Sequence, residues 1–92
     1  MFLATLLVSP FVRAEPSSAD KVMATQLYDD AEKEMGRSNY AVACLKYGES
    51  QRLDPQLGTL LHLADCWERA GKTASAWATF KDAIEIASRG YG

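Results

Sequence analysis

Apolar residues recur at helical spacing in four blocks from Ala19 onward, and polar residues fill the positions between them. This part of the chain has no run in which β-branched residues alternate with polar ones, and Pro55 is its one proline. The pattern predicts an all-α chain. The predicted helices cover about residues 20–35, 40–53, 57–70 and 73–88.

Turn signals separate the four blocks. The segment 36–38, Gly-Arg-Ser, follows helix one, and the segment 54–56, Asp-Pro-Gln, stops helix two because proline cannot continue a helix. Gly71 is a natural left-handed stop for helix three, and Gly90 follows helix four. Short polar side chains at helix starts accept hydrogen bonds from free backbone N–H groups. The predicted N-caps are Asp20, Asn39 and Thr73.

The sequence repeats with a period of 33 residues. The shift aligns small residues with small ones and an aromatic residue with an aromatic one, which a chance repeat of apolar positions would not do. We therefore predict two antiparallel helix hairpins, 24–56 and 57–89, within a domain spanning 23–90. The aligned pairs are Leu27 with Leu60, Ala31 with Ala64, Ala43 with Ala76, Tyr47 with Phe80, and Leu53 with Ile86.

The order of these residues, with Leu-Asp-Pro closing the first copy, resembles the tetratricopeptide repeat over about residues 24–88. The first copy departs from the family at Glu34, where an aromatic residue is favoured, and at Ser38, where glycine is favoured. Trp67 and Gly71 fill those places in the second copy. The strings SQRLDP, GTLLHLADCWE and TASAWATF further resemble exported repeat proteins of myxobacteria-like bacteria. The resemblance implies an α-solenoid fragment and an envelope or secreted location.

Residues 1–14 have a different character. They form a mostly apolar segment with small or branched residues at the positions that a signal peptidase inspects, so we predict a signal peptide cleaved after Ala14 and a periplasmic or secreted product. The segment is shorter than the roughly 20 residues that span a bilayer. Because no basic residue precedes Phe2, we expect the natural start to lie upstream. Residues 15–22 are predicted to be a flexible leader.

Cys44 and Cys66 lie at equal distances, eleven residues, from Pro55 at the centre of the turn between helices two and three. Antiparallel helices joined there would place the two cysteines level with each other. In an oxidising compartment this arrangement favours a disulfide. Two buried free thiols are the alternative, and a redox or metal role is a third, although the chain has no Cys-x-x-Cys motif.

Charge and motif content narrow the function. The net charge is -2, and the ten Lys and Arg residues never form a run, so we expect no nucleic-acid partner. His62 is the single histidine and is expected on a helix surface or in a hairpin contact. No nucleophile motif or phosphate loop occurs. We expect no enzymatic activity, no cofactor and no metal.

In stacked helix pairs of the resembled class, the first helix of each hairpin lines a concave face. The residues expected there share one side of each helix, with spacing i, i+4, i+7. They predict an acidic, partly apolar groove that suits a neutral or basic peptide, and the alternative is an ordinary solvated surface. The expected groove residues are Tyr28, Glu32, Met35, Leu61, Asp65 and Glu68.

Trp77, Phe80 and Ile84 lie along one side of helix four, where a following hairpin would normally cover them. We expect that the chain is truncated and that further repeats cover these residues. The alternative is that a docked partner or a second copy covers them.

The leading functional prediction is a non-enzymatic protein-interaction adaptor. The alternatives are a structural N-terminal piece of a longer repeat protein and a cell-wall glycan-binding module that uses Trp67 and Trp77.

Overall fold

The computed structural model describes residues 15–89, and this part of the chain contains four helices and no strand. The predicted all-α class is therefore confirmed. The predicted signal peptide, residues 1–14, lies outside the described residues. The helices are α1 (Ser18–Gly36), α2 (Tyr40–Leu53), α3 (Leu57–Arg69) and α4 (Thr73–Ser88).

Helix α1 begins earlier than the sequence predicted. Its N-cap is Ser17, whose hydroxyl accepts a hydrogen bond from the backbone N–H of Asp20, while the Asp20 carboxylate accepts one from the backbone N–H of Ser17. This reciprocal pair is a capping box, so Asp20 is the third residue of the helix and not its cap. Residues 18–22, predicted to belong to a flexible leader, are thus helical.

Of the other two predicted caps, Asn39 is at the predicted position and Thr73 is not. Asn39 occupies the N-cap position of α2, but its side-chain amide donates to the carboxylate of Glu34 and makes no cap bond. Thr73 is the first residue inside α4, and Lys72 occupies the N-cap position without a side-chain bond. The bounds predicted for α2 and α4 are confirmed, and α3 ends at Arg69, one residue before the predicted end.

The ends of α1 and α3 show the 33-residue period in the backbone. Gly71 after α3 has φ 80°, as expected for a left-handed stop, and Ser38 after α1 has φ 61°. Serine occupies this region less readily than glycine because its Cβ crowds the backbone. The two turns therefore have related conformations although only one contains glycine at that place.

Each helix packs against its neighbour in the chain. The connections have three residues each, 37–39, 54–56 and 70–72, which is too short for anything but an antiparallel arrangement of neighbours. The centre of the core contains small side chains from three helices around one large one. These residues are Ala31, Ala43, Cys44, Tyr47 and Cys66.

The capping box at Ser17 gives a direct test of where α1 begins. Replacing Ser17 with Ala removes one of its two hydrogen bonds and is expected to lower the free energy of unfolding by about 1 kcal/mol. Thr73→Ala is the matched control, because Thr73 makes no cap bond and its replacement should change stability by less than about 0.5 kcal/mol. Urea denaturation followed by circular dichroism measures both. Equal effects of the two substitutions would contradict this assignment.

Candidate functional site

Helices α2 and α3 are joined covalently by a disulfide between Cys44 and Cys66, whose Cα atoms are 5.6 Å apart. Both cysteines are fully buried in the core. The expectation that the two residues lie level across the turn at Pro55 is confirmed. No free thiol remains in the described chain. The disulfide holds the two hairpins together across the α2–α3 interface, toward the end remote from the turn at Pro55.

A polar cluster lies beside the disulfide, where three helices meet. Tyr28 and Glu32 come from α1, Tyr47 from α2 and His62 from α3. The Tyr47 hydroxyl donates to the Glu32 carboxylate, and the Tyr28 hydroxyl lies 3.2 Å from Nε2 of His62. The rings of Tyr28, Tyr47 and His62 also pack against one another, with centroids 5.4 to 5.8 Å apart. This cluster joins the first hairpin to the second through side chains.

The hydrogen bonds of His62 fix which ring nitrogen carries its proton in the neutral state. Nδ1 lies 2.9 Å from the carbonyl oxygen of Gly58, and a carbonyl can only accept, so the proton is on Nδ1. Nε2 then accepts from the Tyr28 hydroxyl. The nearer Glu32 carboxylate oxygen is 3.8 Å from Nε2 and is the group that a protonated His62 would meet.

Both tyrosines of the cluster are stabilised in their neutral form. Burial raises the pKa of Tyr47, and its hydrogen bond to the Glu32 carboxylate raises it further. Burial is also the main cause that raises the pKa of Tyr28, followed by the negative charge of Glu32. These hydroxyls therefore act as hydrogen-bond donors that organise the hairpin interface.

All six expected groove residues are at least partly exposed, but several of them are engaged in contacts within the chain. Tyr28 and Glu32 are engaged in the polar cluster, and Met35 packs against the core. Asp65 accepts a hydrogen bond from Arg69 at 3.0 Å. Leu61 and Glu68 are exposed on α3. Within residues 15–89, Asp65 is the one groove carboxylate in an ion pair with an Arg or Lys side chain, while Glu32 is engaged by the Tyr47 hydroxyl and Glu68 is in no ion pair or side-chain hydrogen bond.

The most exposed apolar surface that the sequence had singled out lies on α4. We call Trp77, Phe80 and Ile84 the α4 face. Trp77 is 60% exposed and Ile84 67% exposed, while Phe80 is half-buried. Together with Lys81 they line a surface pocket of about 170 Å³. The Lys81 ammonium lies 5.2 Å from the centroid of the Trp77 ring, a cation–π arrangement.

The outer face of α1, at the opposite end of the helix stack, has the reverse chemistry. Gln26, Asp29, Asp30 and Lys33 are all exposed there, and Asp30 lies 4.0 Å from the ammonium of Lys46. Burying such charged groups without partners costs free energy, whereas burying an apolar face is favourable. The outer face of α1 is thus mostly polar, with Val22 exposed near its start, whereas the α4 face is mostly apolar.

The sequence did not assign His62 to the polar cluster or Lys81 to the α4 face. His62 was expected in a surface or hairpin contact, but its bond to Tyr28 was not foreseen. Its spacing from Pro55 nearly matches that of Tyr47, so the reasoning that paired the cysteines would have placed these two rings together. Lys81 was overlooked because it is one of many scattered charges.

Other kinds of site find little support in residues 15–89. The structure groups no three His, Cys, Asp or Glu side chains there in a way that would hold a metal ion. None of the four described helices has the length and apolar character required to cross a membrane. In comparisons with known proteins, no family model, curated protein or solved structure matched the chain.

Proposed function

We propose that this chain is a non-enzymatic protein-interaction module of the tetratricopeptide-repeat class and that it binds its partner through the α4 face. The observation that carries the proposal is the exposure of Trp77 and Ile84 on the same face of one helix. Contiguous exposed apolar side chains on a small folded domain mark interaction sites, and tryptophan is enriched among the residues that dominate binding energy.

The proposed location is the bacterial envelope or the extracellular space. The buried disulfide supports it, because disulfides persist in oxidising compartments and are rare in the cytosol. The apolar segment at residues 1–14, with Val12 and Ala14 at the two positions that a signal peptidase inspects, supports it independently.

The same face would serve the structural alternative, in which the hairpins continue into further repeats and the activity belongs to another part of a longer protein. A glycan-binding role has less support. Trp67 packs against the core, so a stacking platform for sugars would rest on Trp77 alone. We therefore propose protein binding.

Site-specific photocrosslinking tests the proposed function. A photoreactive benzoylphenylalanine placed at Ile84 should give a covalent protein adduct in cells that make this protein, because Ile84 lies within the proposed interface. The same amino acid placed at Asp29, on the charged outer face of α1, is the matched control and should give none. Denaturing electrophoresis and mass spectrometry identify adducts. Equal yields at both positions, or none at Ile84, would refute the proposal.

A further inference from the structure

The surface of α2 that corresponds to the α4 face is covered by α3, and this shows what kind of element fits such a surface. The positions 33 residues before Trp77, Phe80 and Ile84 are Cys44, Tyr47 and Gln51. Cys44 and Tyr47 are buried, the former bonded to Cys66 of α3 and the latter beside His62. A helix running antiparallel to α4 is therefore the occupant that this geometry accommodates.

The α1 helix of a second copy is a poor occupant. Positions 33 residues before His62 and Cys66 of α3 are Asp29 and Lys33, so a head-to-tail stack would place Asp29 near Lys81 but would press the long charged side chain of Lys33 against Trp77, in the place where Cys66 meets Cys44. A charge buried without a partner strongly disfavours an interface, because it loses its hydration and gains nothing in return. Head-to-tail growth of this chain is thus disfavoured at α1.

A pair of α4 helices from two copies is also disfavoured. A two-fold axis places the same flank of each helix together. An antiparallel pairing that matches Trp77 with Ile84 of the other copy therefore brings both Lys81 side chains to one flank at nearly the same level. Among the described residues, Lys81 has no carboxylate within ion-pair distance to offset that repulsion.

Charge complementarity and the α2–α3 interface together specify the occupant. In that interface Cys66 meets Cys44 and His62 packs against Tyr47, and the antiparallel register brings position 62 to the level of position 48. Their counterparts on α4 are Trp77 in place of Cys44 and Lys81 in place of Gly48. A side chain opposite the bulky Trp77 must be small, and one opposite Lys81 gains most from a negative charge.

We propose that the α4 face binds an amphipathic helix of a partner protein that carries a small residue opposite Trp77 and a carboxylate opposite Lys81. This inference rests on the proposed function. It adds the orientation of the bound helix, antiparallel to α4, and the four-residue spacing between its carboxylate and its small residue.

Two helix-constrained peptides with the sequence of residues 57–72 provide the test, since α3 covers the equivalent face of α2. Both carry Cys66→Ala, which supplies the small residue. One carries His62→Glu and the other His62→Lys. Each is titrated calorimetrically into the full oxidised chain. We expect the Glu peptide to bind about fivefold more tightly than the Lys peptide, as a rim charge pair allows, and Lys81→Glu to reverse that order.

Two variants of the protein complete the design. Trp77→Ala should weaken binding of both peptides about tenfold or more, because it removes the large apolar contact. Leu45→Ala is the matched control, since Leu45 is an exposed apolar side chain on α2 away from this face, and it should leave binding unchanged.

A preference that Lys81→Glu does not reverse, equal effects of Trp77→Ala and Leu45→Ala, or no binding of either peptide would overturn the inference. Sedimentation of the chain as a dimer would overturn it too, by making a second copy the occupant. Any of these results combined with a protein adduct at Ile84 would leave the proposed function intact. Absence of that adduct would refute both the proposed function and this inference.

Discussion

Breaking the Cys44–Cys66 disulfide is expected to lower the free energy of unfolding by about 3 kcal/mol. The bond closes a loop over a sequence separation of 22 residues, and in the chain-entropy model a loop of that size restricts the unfolded chain by about this amount. Small domains have total stabilities of only about 5–15 kcal/mol, so the loss would be a large fraction. The midpoint of thermal unfolding should fall by roughly 15 °C.

Because both cysteines are fully buried, the comparison should use protein that was unfolded, reduced and refolded in reductant. Thermal denaturation followed by circular dichroism gives the two midpoints. The double variant Cys44→Ala with Cys66→Ala is the control, and its midpoint should not depend on reductant. Equal midpoints for the oxidised and reduced wild-type chains would show that the disulfide does not stabilise the fold.

Tyr47→Ala is expected to cost about 3–5 kcal/mol, the range found when a buried aromatic side chain is truncated. Tyr47 is 1% exposed and is the largest fully buried side chain of the core. Its removal would leave a cavity beside the disulfide and take the hydrogen-bond donor from Glu32. The domain has few other large side chains to fill that space.

The repeat supplies a matched control at Phe80, which occupies the corresponding position on α4. Phe80 is only half-buried, so Phe80→Ala should cost about 1–2 kcal/mol, in proportion to the smaller apolar area that it buries. Tyr47→Phe should cost about 1 kcal/mol because it keeps the ring and loses only the hydroxyl. Urea denaturation at neutral pH gives all three values. Equal losses in the free energy of unfolding for Tyr47→Ala and Phe80→Ala would contradict the prediction that the core depends more on the Tyr47 ring than on the Phe80 ring.

Much of the fold followed from local signals in the sequence. Pro55 ends α2 for reasons confined to one residue, so the end of α2 was predicted correctly, and Gly71 located the end of α3 to within one residue. The disulfide followed from the symmetry of the cysteines about Pro55. The start of α1 was missed because Ser17 and Asp20 are both good caps, and only the backbone geometry shows which one precedes the helix.

The internal contacts of the expected groove residues were not predicted, because helical spacing shows which residues share a face but not which neighbours compete for them. Glu32 was assigned to a ligand, yet the buried hydroxyl of Tyr47 requires an acceptor and Glu32 is within its reach. Met35 was assigned to the same face and instead fills space against the core. Such competition depends on the packing of three helices, which a single-helix pattern does not contain.

The covalent link between α2 and α3 also determines how the domain would respond to mechanical tension. A pull applied to the two ends of the chain is transmitted through the sulfur bridge, so the residues between Cys44 and Cys66 carry no load while it is intact. Only α1, α4 and the outer portions of the middle helices would extend. Reduction would add the 22-residue segment to the stretched length in a single step, and force spectroscopy would register the redox state as a difference in contour length.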